Sequence, residues 1–245
     1  MNKRLLQTLG ALALAFAAGG AQAIPFTDLL AGQSITAGDK LFDNFSVTFQ
    51  DSSILGHTVN TDNIDVTALS DGGLDPGPGL QFDILNNEFQ VTGDGVYAYQ
   101  DFEFSFHVSV LDPTLKIKDI SLGNHQASNS YTADGSNNLG STIYETAGTG
   151  QGLDNLVSAG SMATEFSVLD DVGTSNLSAS ANFAPQSDIW VTKNIAVWST
   201  DVTDTANLTG FTQRFSQQTI PEPSTVLLMA IGIAGLGLGR RKLRA

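Results

Sequence analysis

The chain contains no cysteine. A disulfide framework, a thiolate zinc site and a cysteine nucleophile are all excluded at once. Charge is also scarce, at 15% of residues, and base is scarcest. Between Ile24 and Ile220 only Lys40, Lys116, Lys118, Lys193 and Arg214 are basic, against 24 acids, a net charge of −19. With no basic stripe to displace counterions, nucleic acid is excluded as a partner. Anionic lipid surfaces are repelled as well. Only three histidines occur, His57, His107 and His125, and none is spaced from another as in a helical metal motif. No G-x-S-x-G elbow exists. No long window shows helical spacing.

What is present is period-two alternation. Phe102, Phe104, Phe106, Val108 and Val110 alternate with Glu103, Ser105, His107 and Ser109. One face is apolar and the other polar, as in a half-buried antiparallel strand. On this reading His107 is a plain surface histidine. Phe45, Val47 and Phe49 repeat the pattern, as do Leu80, Phe82 and Ile84. Leu115 and Ile117 follow Asp112-Pro113, which reads as a turn between neighbouring strands. Further strands are expected at Glu165–Leu169, Ile189–Trp198 and Phe211–Phe215. The expected fold class is all-β, an antiparallel β-sandwich. Ser70–Gly79, SDGGLDPGPG, reads as irregular. Residues 123–161 are poor in large apolar side chains and read as a long polar loop, with at most a short strand near Ile143-Tyr144.

The two ends differ from this body. Residues 1–23 read as a signal peptide: Lys3 and Arg4 lead, Leu9 to Ala18 form a short apolar core, and Ala21-Gln22-Ala23 is a small-x-small cleavage box. The expected mature start is Ile24, leaving a body of residues 24–219. At the other end Val226 to Gly239 is uncharged and apolar, and Arg240, Arg241, Lys242 and Arg244 follow it. This is one short transmembrane helix, under the usual ~20 residues. The basic tail holds its end in the cytoplasm and puts the body outside. In front of it stands Pro221-Glu222-Pro223. Each proline fixes its own φ and pushes the residue before it towards extended geometry. The result is a stiff strand-like segment that a membrane peptidase can read.

Residues 220–245, with Pro221-Glu222-Pro223-Ser224-Thr225, the apolar run and the basic end in that order, closely resemble the PEP-CTERM sorting domain. Proteins of this type are substrates of exosortases, multi-pass membrane cysteine enzymes of Gram-negative bacteria that generally make extracellular polysaccharide. The resemblance implies transient insertion in the inner membrane and contact with the secretion machinery. It further implies removal of the tail near the motif and delivery of the body to the cell surface or matrix.

Chemistry within the body is sparse. Glu88 and Glu103 can be posed as paired carboxylates for glycoside cleavage, one pairing among 25 acids. Asp62 with Asp65, and Asp71 with Asp75, offer hard oxygen ligands to calcium but match no spaced calcium loop. Asp-capped turns explain them equally. Asn44, Asn176 and Asn207 head N-x-[ST] sequons. The expectation is a non-enzymatic, cofactor-free surface or matrix component that contacts polysaccharide. The alternatives are a secreted polysaccharide-active enzyme and a calcium-dependent adhesion module.

Overall fold

The computed structural model describes residues 22–152, 155–157 and 162–220. Ala21 of the cleavage box, Pro221 to Thr225, and the basic residues Arg240, Arg241, Lys242 and Arg244 lie outside them. The regular structure of the described residues is almost all strand. Its elements are β1 (Ile24–Pro25), α1 (Phe26–Leu30), β2 (Ile35–Ala37), β3 (Lys40–Ser52), β4 (Ile64–Leu69), β5 (Gly79–Ile84), β6 (Phe89–Thr92) and β7 (Ala98–Val110). Then come β8 (Leu115–Ser130), β9 (Asn138–Gly148), β10 (Met162–Leu169), β11 (Val172–Asn176), β12 (Ala179–Gln186), β13 (Asp188–Ser199), β14 (Thr205–Arg214) and β15 (Gln217–Thr219). All pairings are antiparallel. They form a seven-stranded sheet in the order β11, β10, β9, β13, β7, β3, β2. The second sheet, of eight strands, runs β1, β4, β5, β14, β8, β12, with β6 also on β14 and β15 also on β8. The two sheets pack face to face as a sandwich. No helix among the described residues is long and apolar enough to cross a membrane.

Alternation produces the core. On β7, Phe102, Phe104, Phe106 and Val108 are buried and form the centre of the inner face. Phenylalanine from both sheets meets them: Phe104 lies 5.0 Å from Phe26 and 5.7 Å from Phe82, and Phe45 stacks on Phe106 at 5.2 Å. Offset and edge contacts of this kind add about 0.5–1.5 kcal/mol per pair beyond area burial. The short helix α1 contributes Phe26 and Leu29, both fully buried, and plugs the sandwich beside β3.

Three sequence expectations need correction. Phe45, Val47 and Phe49 do not share one buried face, because β3 carries register shifts between Asp43 and Ser46 and between Val47 and Phe49. Asn44 takes a positive φ of 54° at the first of these. Phe45 is therefore buried while Phe49 is 48% exposed; a bulge re-aims the side chains that follow it. The turn at Asp112-Pro113 does not join hydrogen-bonded neighbours, since β7 and β8 belong to different sheets. Residues 123–161 are not one long loop: β8 runs through to Ser130, and β9 occupies Asn138–Gly148.

The reason for the last correction is a polar interior. At this end of the sandwich β8 sends His125 between the sheets, and β9 sets Leu139 and Ile143 there alternately with Ser141 and Glu145. His125 is buried, with Nδ1 2.8 Å from Thr164 Oγ1 and Nε2 2.8 Å from Ser141 Oγ, both on the opposite sheet. With His125, Ser141 and Glu145 interrupting Leu139 and Ile143, the inward positions leave only a broken apolar period to read. Burial lowers the His125 pKa from 6.5 to about 4. The unfolded chain therefore binds a proton that the folded chain refuses. The His125 contribution to stability is fully present above pH 6.5 and is lost as pH falls from there to about 4. The loss comes to about 3 kcal/mol. Urea unfolding of the wild type and of His125→Gln across pH 4–7 checks this, the variant showing the shallower decline.

Candidate functional site

The outer face of the seven-stranded sheet is built by registers that cross β9, β13, β7 and β3. Along β13, Ile189, Val191, Ile195 and Val197 point inward and are buried, so Trp190, Asn194 and Trp198 point outward. On β7 the outward set is Tyr99, Asp101, Glu103, Ser105 and His107. Trp198 stands opposite Tyr99, Asn194 opposite Glu103 and Tyr144, and Asp101 opposite Asp51. Tyr97 joins Tyr99 with ring centroids 5.8 Å apart. Both tryptophans of the chain and three of its four tyrosines thus lie on this side of the molecule.

Polar groups interleave with the rings. Asn194 donates to Asp101 Oδ1, Tyr99 OH donates to Asp51 Oδ2 at 2.7 Å, and Thr48 Oγ1 donates to Glu103 Oε1 at 2.7 Å. Trp198 Nε1 is fixed by Asn138 Oδ1 at 2.8 Å. Burial raises the Asp101 pKa, the hydrogen bond from Asn194 opposes that, and the charges of Glu103 and Asp51 raise it further. The hydrogen bond to Asp51 raises the Tyr99 pKa, and burial raises that of Tyr97. At the other end of the face Trp190 borders a groove of about 570 Å³ with Asp43, Asn44, Phe45 and Gln151. Gln151 reaches over the sheet to Ser46 Oγ at 2.8 Å.

The five described basic residues avoid this face. Lys116, Lys118 and Arg214 belong to the eight-stranded sheet. Lys40 and Lys193 lie on strands of the seven-stranded sheet but point into the core, where both are fully buried. Among the described residues the outer face therefore carries carboxylates and no lysine or arginine.

The residues singled out from sequence fall elsewhere or change character. His107 is not a plain surface histidine: its side chain is 21% exposed, held 3.0 Å from Asp43 Oδ1, with its ring 5.2 Å from that of Trp190. Glu88 accepts from Asn60 N and Asn63 Nδ2 beside the eight-stranded sheet, while Glu103 lies on the outer face of the seven-stranded one. The structure does not bring that pair together. Asp71 is paired to Arg214 at 2.8 Å, which lowers its pKa, and Asp75 to Lys118 at 2.8 Å, with the same effect. Asp62 sits in the single turn Thr61–Asn63, capped by Asn60, and Asp65 on β4 faces Asp83. No group of three or more metal-ligating side chains occurs among the described residues. Sequence reasoning missed the aromatic face. Its signal was Trp190 and Trp198 at outward positions of a strand, where alternation ordinarily places polar residues.

No curated protein matches the chain. Among solved structures, one described as the structural basis for the promiscuous specificity of carbohydrate-binding modules from the β-sandwich superfamily is 10% identical, with a TM-score of 0.24. It covers 82% of this chain, and the chain spans 63% of its length. The family GH12 endoglucanase 3 of Trichoderma harzianum is 11% identical, with a TM-score of 0.22, over 70% of this chain and 97% of that one. Neither similarity carries an argument about function. The model of the PEP-CTERM protein-sorting motif matches residues 219–242. The chain thus carries a PEP-CTERM protein-sorting motif, the mark of an exported protein, and that motif begins where the last strand of its β-sandwich ends.

Proposed function

We propose that the exported body is a non-enzymatic component of the cell surface or matrix that holds extracellular polysaccharide on the outer face of its seven-stranded sheet. The observation that carries this reading is the gathering of Trp190, Trp198, Tyr97, Tyr99 and Tyr144 on one side, interleaved with Asp101, Glu103 and Asn194. A pyranose ring presents a face of C–H groups that packs on an aromatic ring and a rim of hydroxyls that hydrogen-bonds to carboxylates and amides. An open face with several rings suits a long chain in preference to a small molecule, which calls for an enclosing pocket. The carboxylates select against polymers of uronic acids, because like charges brought together on a desolvated surface cost affinity.

The test is binding to an insoluble neutral glucan, with alginate as the anionic comparison. Wild-type protein is expected to bind the glucan and not the alginate. Trp198→Ala with Tyr99→Ala is expected to weaken glucan binding about tenfold or more, from the loss of two stacking rings at roughly 0.5–1.5 kcal/mol each. Undiminished binding by the double variant removes the face as the site. Release of reducing ends by the wild type, absent from Glu103→Gln protein, replaces the binding role with a catalytic one.

A further inference from the structure

Lys193 is fully buried in the middle of β13, pointing between the sheets. Its Nζ donates to Glu145 Oε2, on the neighbouring strand β9, and to Gln213 Oε1, on β14 of the opposite sheet. Glu145 is 1% exposed and Gln213 fully buried. The Phe211 ring covers the amine, its centroid 5.4 Å from Nζ. A primary amine, a carboxamide and a carboxyl group are thus held together away from water, each from a different strand. Nothing in polysaccharide binding uses them. As a plain ion pair the arrangement is a poor stabiliser, because taking both charges out of water offsets most of their attraction.

We propose that Lys193 and Gln213 become joined by an intramolecular isopeptide bond, formed inside the folded core with Glu145 carrying the proton. The reaction needs an uncharged amine and a protonated acid. Burial favours both, lowering the Lys193 pKa and raising that of Glu145 against the pull of their mutual charge. The Nζ lone pair adds to Gln213 Cδ and forms the new C–N bond while the carbonyl π electrons move to Oε1. On collapse the Cδ–Nε2 bond breaks. Nζ gives one proton to the Glu145 carboxyl group, Glu145 gives one to Nε2, and ammonia departs. The sum is an amine and a carboxamide giving a secondary amide and ammonia. No oxidant or cofactor enters, and Glu145 ends as it began. Holding the reactants in contact supplies the entropy that an intermolecular aminolysis lacks.

The product ties β13 to β14, and so one sheet to the other. It gives a cysteine-free exported domain a covalent staple that reductants do not open. Lys40 and Gln217 repeat the lysine–glutamine pairing, but the carboxylate there, Asp39, keeps 19% of its side chain open to solvent; the proposal is confined to Lys193.

Peptide mapping of protein expressed from the full sequence tests it. The expected result is a branched peptide containing Lys193 and Gln213, lighter than the two linear peptides together by one ammonia, and resistance of Lys193 to trypsin. Recovery of Lys193 and Gln213 in separate linear peptides from the wild type overturns the proposal, whatever any variant does. Glu145→Gln keeps the shape and removes the proton carrier, so the branched peptide is expected to be lost. A branched peptide undiminished in that protein overturns the role given to Glu145.

Discussion

Replacing Phe104 by alanine will lower the stability of the body by about 3–5 kcal/mol, among the largest costs for a single side chain in this fold. The ring is 2% exposed and touches Phe26, Phe82, Phe102 and Phe106 at centroid distances of 5.0, 5.7, 5.8 and 6.2 Å. Phe82 comes from the opposite sheet and Phe26 from α1, so one truncation opens a void where three layers meet. β7 is hydrogen-bonded on both sides, to β13 and β3, and cannot collapse into that void. Phe104→Leu leaves most of the volume in place and is expected to cost about 1 kcal/mol. Urea titrations of the three proteins give the comparison as shifts in midpoint at constant slope. A change below about 1 kcal/mol for alanine would show that the aromatic cluster repacks freely.

The largest effect on location is expected from the sorting motif. Changing Pro221, Glu222 and Pro223 together to alanine should leave membrane arrest intact, since Val226 to Gly239 and the basic residues are untouched. Removing the prolines lets helix extend upstream and erases the extended shape, and removing Glu222 deletes the charge at the interface. The variant should accumulate, full length, in the inner membrane. Deleting Arg240 to Arg244 should act differently, by weakening the stop and the orientation signal. Fractionating cells and weighing the retained chain separates these outcomes. Export and trimming of the triple variant at the parental level would sink the assignment of sorting to Pro221-Glu222-Pro223.

The parts of the fold that were legible in the sequence are those where burial is apolar. Phe102 to Val108 and Leu80 to Ile84 read correctly as half-buried strands because large apolar groups occupy every inward position. β8 beyond Leu122 and the start of β9 were illegible for the opposite reason. Their inward positions mix Leu139 and Ile143 with His125 and Ser141, whose burial depends on a hydrogen bond that only the folded pairing of sheets creates. Lys193 stands in phase with the inward Ile189, Val191, Ile195 and Val197, but the sequence does not say what satisfies a lysine there; the β9–β13 register sets Glu145 opposite it. The aromatic face is a matter of assembly across strands. Trp198, Tyr99 and Tyr144 lie far apart in sequence, and no local pattern states that they share a surface.

The end of the sandwich sets what a processing enzyme meets at the sorting motif. β15 is paired to β8 through Gln217, Gln218 and Thr219, and Ile220 N–H still donates to the Thr114 carbonyl at 2.7 Å. The sorting match already begins at 219. The last strand thus runs directly into the matched motif. A peptidase that draws an extended segment of several residues into its cleft has two choices: to cut beyond Ile220, or to peel β15 away first. A three-residue strand at a sheet margin opens at small cost compared with the whole domain. Release then resembles unfastening a single clasp, and the freed molecule would carry a short, frayed strand as the mark of its former attachment.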